Sequence, residues 1–449
     1  MWPASSGVSG RTRAVAFQRR RNNGIEATTM KLSSDSTFHF NLLRWLGTAP
    51  YHGVDVAEVL DVADRITPGD FESWHREFLA LAQQVAAEGA RSDRASSITV
   101  RDRAFRAASY YRAADFFLHG TPDDPRIDGT WASATALFNQ AIAHLAPAAE
   151  RLTIQADDFT VPAIFYRARA DRLPRPTILM CNGFDGSQEE MLHISGLAAL
   201  ERGFNVLTFE GPGQPTVVRE QGLGFRHDWE RVVTPVVDHC EAIPEIDARQ
   251  IALLGLSFGG YLAPRAAAFE LRIRAVAAID GLFNGHEAVL SLLSPELTGL
   301  LAQRDADGFN AAAHVAMKTD GGFRWYIEQA LWSFRVATPY EFFEHSRAYT
   351  LDGVADRIKC PVVVCQAAGE HFNPGQAEKL AAALGDRATL RSFTAAESAA
   401  YHSHIGAFVL MNGFVLDWFS EMLGASAPGQ PAADHRGRHE QPKADGVGR

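Results

Sequence analysis

Short, continuous apolar runs alternate with longer amphipathic stretches through the C-terminal two thirds of this chain. The runs at 176–181, 205–209, 251–254, 276–280, 360–365 and 389–393 are rich in Val, Ile, Leu and Cys. Each reads as a buried strand. Two further short runs, 152–155 and 161–165, read as a hairpin that opens the sheet. Between the strands lie helical patterns, among them 261–271 and 405–422. Strand and helix keep alternating to about residue 424, the signature of an α/β fold with a mostly parallel sheet. Upstream the pattern changes. Residues 36–148 hold few β-branched runs and show helical periodicity at 71–88, 97–118 and 130–145, so they are expected to form a helical N-terminal cap domain. The stretch 283–350 interrupts the alternation with Trp325, Tyr326, Trp332, Phe334, Phe342 and Phe343. It is expected to be a helical lid insertion in the catalytic domain 149–424, with plain core helices as the alternative.

The ends differ from both. Residues 1–35 begin with Arg11, Arg13, Arg19, Arg20 and Arg21, with no acidic residue before Glu26 and no apolar h-region. That argues against a secretory signal and for a disordered extension, with an organellar transit peptide or a start at Met30 as alternatives. Residues 425–449 are Pro, Gly, Ala and charge, and are expected to be a disordered tail.

Composition narrows the function class. The chain has 449 residues, net charge −10 and 46% hydrophobic residues, which suits a large buried core and disfavours nucleic acid or an anionic membrane as partners. No apolar run reaches the length of a membrane span. Cys181, Cys240, Cys360 and Cys365 lack metal-ligand spacing and read as reduced core thiols of a cytoplasmic protein. The expected partner is a small-molecule substrate, with no cofactor and no metal; a homodimer is left open.

Chemistry concentrates at strand ends. Gly255-Leu256-Ser257-Phe258-Gly259-Gly260 fits the G-x-S-x-G nucleophile elbow, with a strand before it and a helix after it. Such a turn lifts the Ser257 hydroxyl clear of the sheet and aims helix N-terminal amides at the adjacent space. The acid and the base should follow in the order Ser, acid, His. Glu370 follows the strand at 360–365 and is the expected acid; Asp280, also at a strand end, is its rival. Asp352 and Asp356 precede that strand and read as surface charges. His402 lies between the last strand and the last helix and is the expected base, with His404 competing. The loop Asn182-Gly183-Phe184-Asp185-Gly186-Ser187 follows an early strand. It is expected to supply the Phe184 amide, which with the Phe258 amide forms an oxyanion hole. The cluster Glu210-Gly211-Pro212-Gly213-Gln214 lacks dinucleotide-fingerprint spacing and reads as a tight loop near the site.

These pieces carry a resemblance. The loop at 182–187 with Glu189-Glu190, the cluster at 210–214, the elbow, Glu370-His371-Phe372 with Gly375-Gln376-Ala377, and the segment 397–402 are its matching parts. Across about 36–424 the chain resembles the α/β-hydrolase group that contains fungal heptaketide-shortening pigment hydrolases and bacterial 2,6-dihydroxypseudooxynicotine hydrolase. The resemblance implies a retro-Claisen type of hydrolysis, cleaving a C–C bond beside a carbonyl. Two departures stand out: Glu370 where the group has Asp, and Ser403 where Cys commonly follows the triad histidine. The expected function is therefore serine-dependent C–C hydrolysis of a polyketide-like or aromatic diketone. Carboxylic ester hydrolysis is the alternative, and a non-catalytic ligand-binding relative is a more remote one. Asp185 and Glu287 are the expected substrate contacts.

Overall fold

Period-two packing explains the centre of the molecule: successive strand residues bury on opposite faces of one sheet, so both faces need a helical layer. The computed structural model describes residues 31–89 and 95–424, and the expectations for 1–30 and 425–449 lie outside them. Its strands are β1 Glu150–Gln155, β2 Thr160–Tyr166, β3 Arg175–Cys181, β4 Asn205–Phe209, β5 Ile246–Leu256, β6 Ile273–Ile279, β7 Val362–Ala367 and β8 Ala388–Phe393. The order across the sheet is β1-β2-β4-β3-β5-β6-β7-β8. β2 runs antiparallel to both β1 and β4, and the remaining neighbours are parallel. This is the α/β-hydrolase fold.

Five helices precede the sheet: α1 Ser36–Gly47, α2 Val56–Arg65, α3 Phe71–Gly89, α4 Ser97–Asp115 and α5 Pro125–Ala143. Side-chain caps from Asp35, Asp55, Ser96 and Asp124 start four of them. Asp124 with Pro125 at the first position makes α5 begin earlier than its apolar pattern alone suggests. Within the sheet region, α6 Gln188–Met191 and α7 Leu197–Glu201 follow β3, α8 Pro215–Gln221 and α9 Glu230–Glu241 follow β4, and α10 Gly259–Ala267 follows β5. Between β6 and β7 lie α11 Gly285–Leu290, α12 Pro295–Ala302, α13 Ala306–Thr319, α14 Gly321–Phe334 and α15 Pro339–His345, the expected helical insertion. α16 Gln376–Leu384 follows β7 and α17 Phe408–Leu423 follows β8.

One face of the sheet, through Leu179, Leu207, Leu253 and Val276, packs with α9, α10, α16 and the insertion. The other, through Ile178, Val206, Leu254 and Ala277, packs with α17 and with Phe105 and Phe138 of α4 and α5. The N-terminal helices also enclose an aromatic core of their own around Phe38, Trp74, Phe78 and Tyr110, which Trp325 of α14 joins. The described residues from Leu32 to 424 fall in one compact unit, so the helical segment is a layer of the fold.

Candidate active site

β5 ends in a turn that only small residues permit. A Cβ at Gly255 would collide with the Gly259 carbonyl, and one at Gly260 would lie 2.7 Å from the Asp280 carbonyl. Ser257 sits at the apex with φ of 59°, a left-handed conformation held by its amide donating to the Ile279 carbonyl. Its Oγ is 2.8 Å from Nε2 of His402. His402 lies in a short helical turn between β8 and α17, where Ser403 and His404 also adopt positive φ.

Nδ1 of His402 meets two carboxylates. Oε2 of Glu370, just past β7, is 2.6 Å away, and Oδ2 of Asp280, just past β6, is 3.1 Å away. A carboxylate only accepts, so Nδ1 carries the proton and Nε2 is left to accept from the Ser257 hydroxyl. The two acids that compete in the sequence thus stand together. Their environments differ. Glu370 accepts from the amides of Phe372 and Asn373, whereas Asp280 accepts from the Ser403 amide and leaves Oδ1 buried without a partner. Burial would raise Glu370, but the His402 charge and those amides outweigh it and hold its carboxyl low. Burial, with the Glu370 charge added, pushes Asp280 up instead. Burial disfavours the charged imidazole, yet the two carboxylates overcome this and raise His402 above its ordinary value.

His404 faces elsewhere: its Nδ1 bonds to the Ala399 carbonyl, its ring packs on Phe393, and burial pushes it down to about 4. Among the described residues Asp280, Glu370 and His402 are also the group whose geometry could hold a metal ion. Here Nδ1 already hydrogen-bonds Glu370 and lies at ion-pair distance from Asp280, an arrangement suited to moving a proton.

The loop after β3 lies against the elbow. A Cβ at Gly183 would be 2.6 Å from the Phe258 nitrogen and 3.0 Å from the Ser257 Cβ, so glycine lets the two backbones touch. Among the described residues, neither the Phe184 nor the Phe258 amide donates to a protein acceptor. Around Ser257 opens a cavity of about 980 Å³, counting its mouth. Phe40 and Arg44 of α1, Phe184 and Asp185 of the loop, Trp325, Tyr326 and Phe334 of α14, Phe342 of α15, and Phe372 all line it. Phe184 stacks on Tyr326 with centroids 5.1 Å apart. The charges at the wall are paired within the protein: Arg44 donates to Asp185 at 3.0 Å and forks onto Glu190 at 2.6 and 2.7 Å.

Comparison with known proteins places this architecture. The chain matches the family described as Esterase FrsA-like over residues 14–291 and the Alpha/beta hydrolase family over residues 178–409. It belongs to the FrsA-like α/β-hydrolases. "Hydrolase acrC" of Aspergillus aculeatus is 32% identical over 86% of this chain and 96% of its own length. "20-hydroxy-prefusarin hydrolase FUS2" of Gibberella moniliformis is 35% identical over 77% of this chain and 85% of its own. Among solved structures, 2,6-dihydroxy-pseudo-oxynicotine hydrolase aligns with a TM-score of 0.64 at 21% identity, covering 85% of this chain and 97% of that one, a likeness of fold.

In this α/β-hydrolase one expected contact falls away from the pocket. Glu287 is half exposed on α11, paired with Lys379 and Gln376, and does not line the cavity; its pattern neighbour Ala288 does. Of the insertion's expected aromatics, Trp332 and Phe343 also point elsewhere, into the packing. Conversely, Phe40, Arg44 and Asn373 reach the pocket without having been singled out, and Phe372, named in the sequence only as part of a matching motif, lines it too. For Arg44 a signal existed: it is the one Arg or Lys in a largely apolar helix, and buried arginines require partners. Among the described residues, no helix is long and apolar enough to cross a membrane, and the four cysteines are free, three of them buried.

Proposed function

We propose that this hydrolase cleaves a C–C bond beside a carbonyl, in a polyketide-like or aromatic diketone, through an acyl-serine intermediate. The observation that carries the reading is the unbroken relay from Ser257 Oγ through His402 to Glu370 at the base of an aromatic-walled cavity. Ser257 attacks the carbonyl carbon while Nε2 of His402 takes its proton. The amides of Phe184 and Phe258 hold the resulting oxyanion. Collapse breaks the C–C bond; the electron pair leaves on carbon as an enolate or phenolate, which takes the proton from the His402 imidazolium. Water, deprotonated by the same imidazole, then releases the acid and restores Ser257.

Two carboxylates at Nδ1 suit this sequence. They stabilise the imidazolium during the interval between the two proton transfers, which is long when the acceptor is carbon. The relatives' printed names carry oxygenated compounds, 20-hydroxy-prefusarin and 2,6-dihydroxy-pseudo-oxynicotine, the broad class of ligand this reading assigns. The esterase description of the matched family favours the second reading, ester hydrolysis by the same residues. The intact relay argues against a non-catalytic ligand-binding relative.

The test uses 1-phenyl-1,3-butanedione and p-nitrophenyl acetate in D₂O, followed by NMR. The expected result is cleavage of the diketone to an acid and a ketone carrying solvent deuterium, lost in Ser257→Ala together with fluorophosphonate labelling. Turnover of the ester alone would assign the protein to ester hydrolysis. Labelling of Ser257→Ala at the rate of the unaltered protein would remove Ser257 from its role.

A further inference from the structure

We propose that Gln329, on α14 of the insertion, is a positioning residue for the oxyanion hole; this rests on the serine-hydrolase reading above. Its Nε2 lies 3.0 Å from the Phe184 carbonyl and its Oε1 lies 2.6 Å from Nδ1 of His119, which follows α4. Gln329 is buried.

The hydrogen-bond chemistry runs in one direction. A carbonyl can only accept, so the Gln329 amide must present N–H to Phe184 and oxygen to His119. Nδ1 of His119 must then be the N–H, which leaves Nε2 as an acceptor. Nη2 of Arg219 supplies a donor to it at 3.3 Å. Burial lowers the His119 pKa and so favours this neutral form, and the ring is pinned flat on Trp332 at 4.9 Å. The result is a directed series: Arg219 to His119, His119 to Gln329, Gln329 to the Phe184 carbonyl.

That carbonyl matters because of where it sits. The Phe184 amide and carbonyl flank one residue, so fixing the carbonyl fixes the peptide plane next to the oxyanion donor. Other clamps act on the neighbouring peptides. Gln214 donates to the Asn182 carbonyl at 2.6 Å, Asn182 accepts from the Gly183 amide at 2.8 Å, and Arg112 donates to the Asp185 carbonyl at 2.5 Å. Gln329 and Arg112 come from outside the sheet region. The insertion and the N-terminal helices therefore take part in holding the loop that meets the transition state, beyond walling the substrate.

The test is Gln329→Met, which keeps length and removes the donor, paired with Gln329→Glu, which is nearly isosteric and cannot donate when ionised. In each, kcat should fall on the order of 10- to 100-fold while KM stays within about threefold, because the ground-state carbonyl needs the hole less than the oxyanion does. Affinity for phenylboronic acid, which forms a tetrahedral adduct on Ser257, should weaken by a factor similar to that in kcat. Gln329→Met, folded by circular dichroism, with unchanged kcat and unchanged boronate affinity overturns the inference, whatever its melting temperature. Unaltered protein that binds no boronate and takes no fluorophosphonate label overturns the serine-hydrolase reading instead, and this inference with it.

Discussion

His402 faces carboxylates from two strands, and removing each should have a different consequence. Glu370 is the nearer and is held as a carboxylate by two amides, so Glu370→Gln should cost on the order of 10²–10⁴ in kcat by releasing the imidazole tautomer. Asp280→Asn should cost less and act mainly on pH dependence. As the proposed base, His402 must be neutral to accept the serine proton, and both carboxylates raise its pKa, so kcat/KM should rise with pH through a limb above the ordinary histidine value of about 6.5. Taking away the Asp280 charge weakens the hold on the imidazolium and should move that limb to lower pH. A pH–rate profile of Asp280→Asn with an unmoved or upshifted limb would refute the shared arrangement. The elbow was legible in sequence because its glycines, serine and flanking elements are contiguous. The pairing of Asp280 with Glu370 was not, since their meeting depends on β6 and β7 being neighbours in the sheet.

The insertion contributes at the scale of elements. α14 presents Trp325, Tyr326 and Phe334 to the cavity, and Tyr326 stacks on Phe184. Tyr326→Ala should raise KM for a bulky aromatic diketone by roughly tenfold, the equivalent of about 1.4 kcal/mol of lost ring contact, and leave a small acetyl ester nearly unaffected. Equal effects on both substrates would mean that the ring supports the loop and does not touch the ligand. Strands and insertion could be read from apolar runs and clustered aromatics. α1 was not singled out, although it brings Phe40 and Arg44 to the site, because its pattern is short and its partners lie far along the chain. Glu287 lies off the cavity for a related reason: successive helix positions point about 100° apart, and on α11 Ala288 takes the inward one.

Across the whole molecule, buried carboxylates join the N-terminal helices to the rest, Glu190 through Arg44 and Asp115 through Arg219. Asp115 accepts from Arg112 at 2.6 Å and from Arg219 of α8 at 2.7 Å. Burial alone would raise its pKa, but the Arg219 and Arg112 guanidinium groups hold it far below the usual carboxylate range. Its contribution to stability is thus present above the unfolded value of about 3.9 and is lost as pH falls through the depressed folded value. Asp115→Asn leaves two buried guanidinium groups short of countercharge and should destabilise the fold by roughly 3–5 kcal/mol, read as a lower urea midpoint at neutral pH. An unchanged midpoint would mean that the arginines find other partners.

The sheet's second face has a practical consequence for anyone seeking a smaller catalyst. Phe105, Phe138 and Ala141 cover Ile164, Tyr166, Ile178 and Val206. A chain begun at β1 would turn that apolar surface toward water, and its products would be aggregates or chaperone clients. Miniaturising this enzyme would first require repainting those strand positions with polar residues, a redesign of the sheet itself.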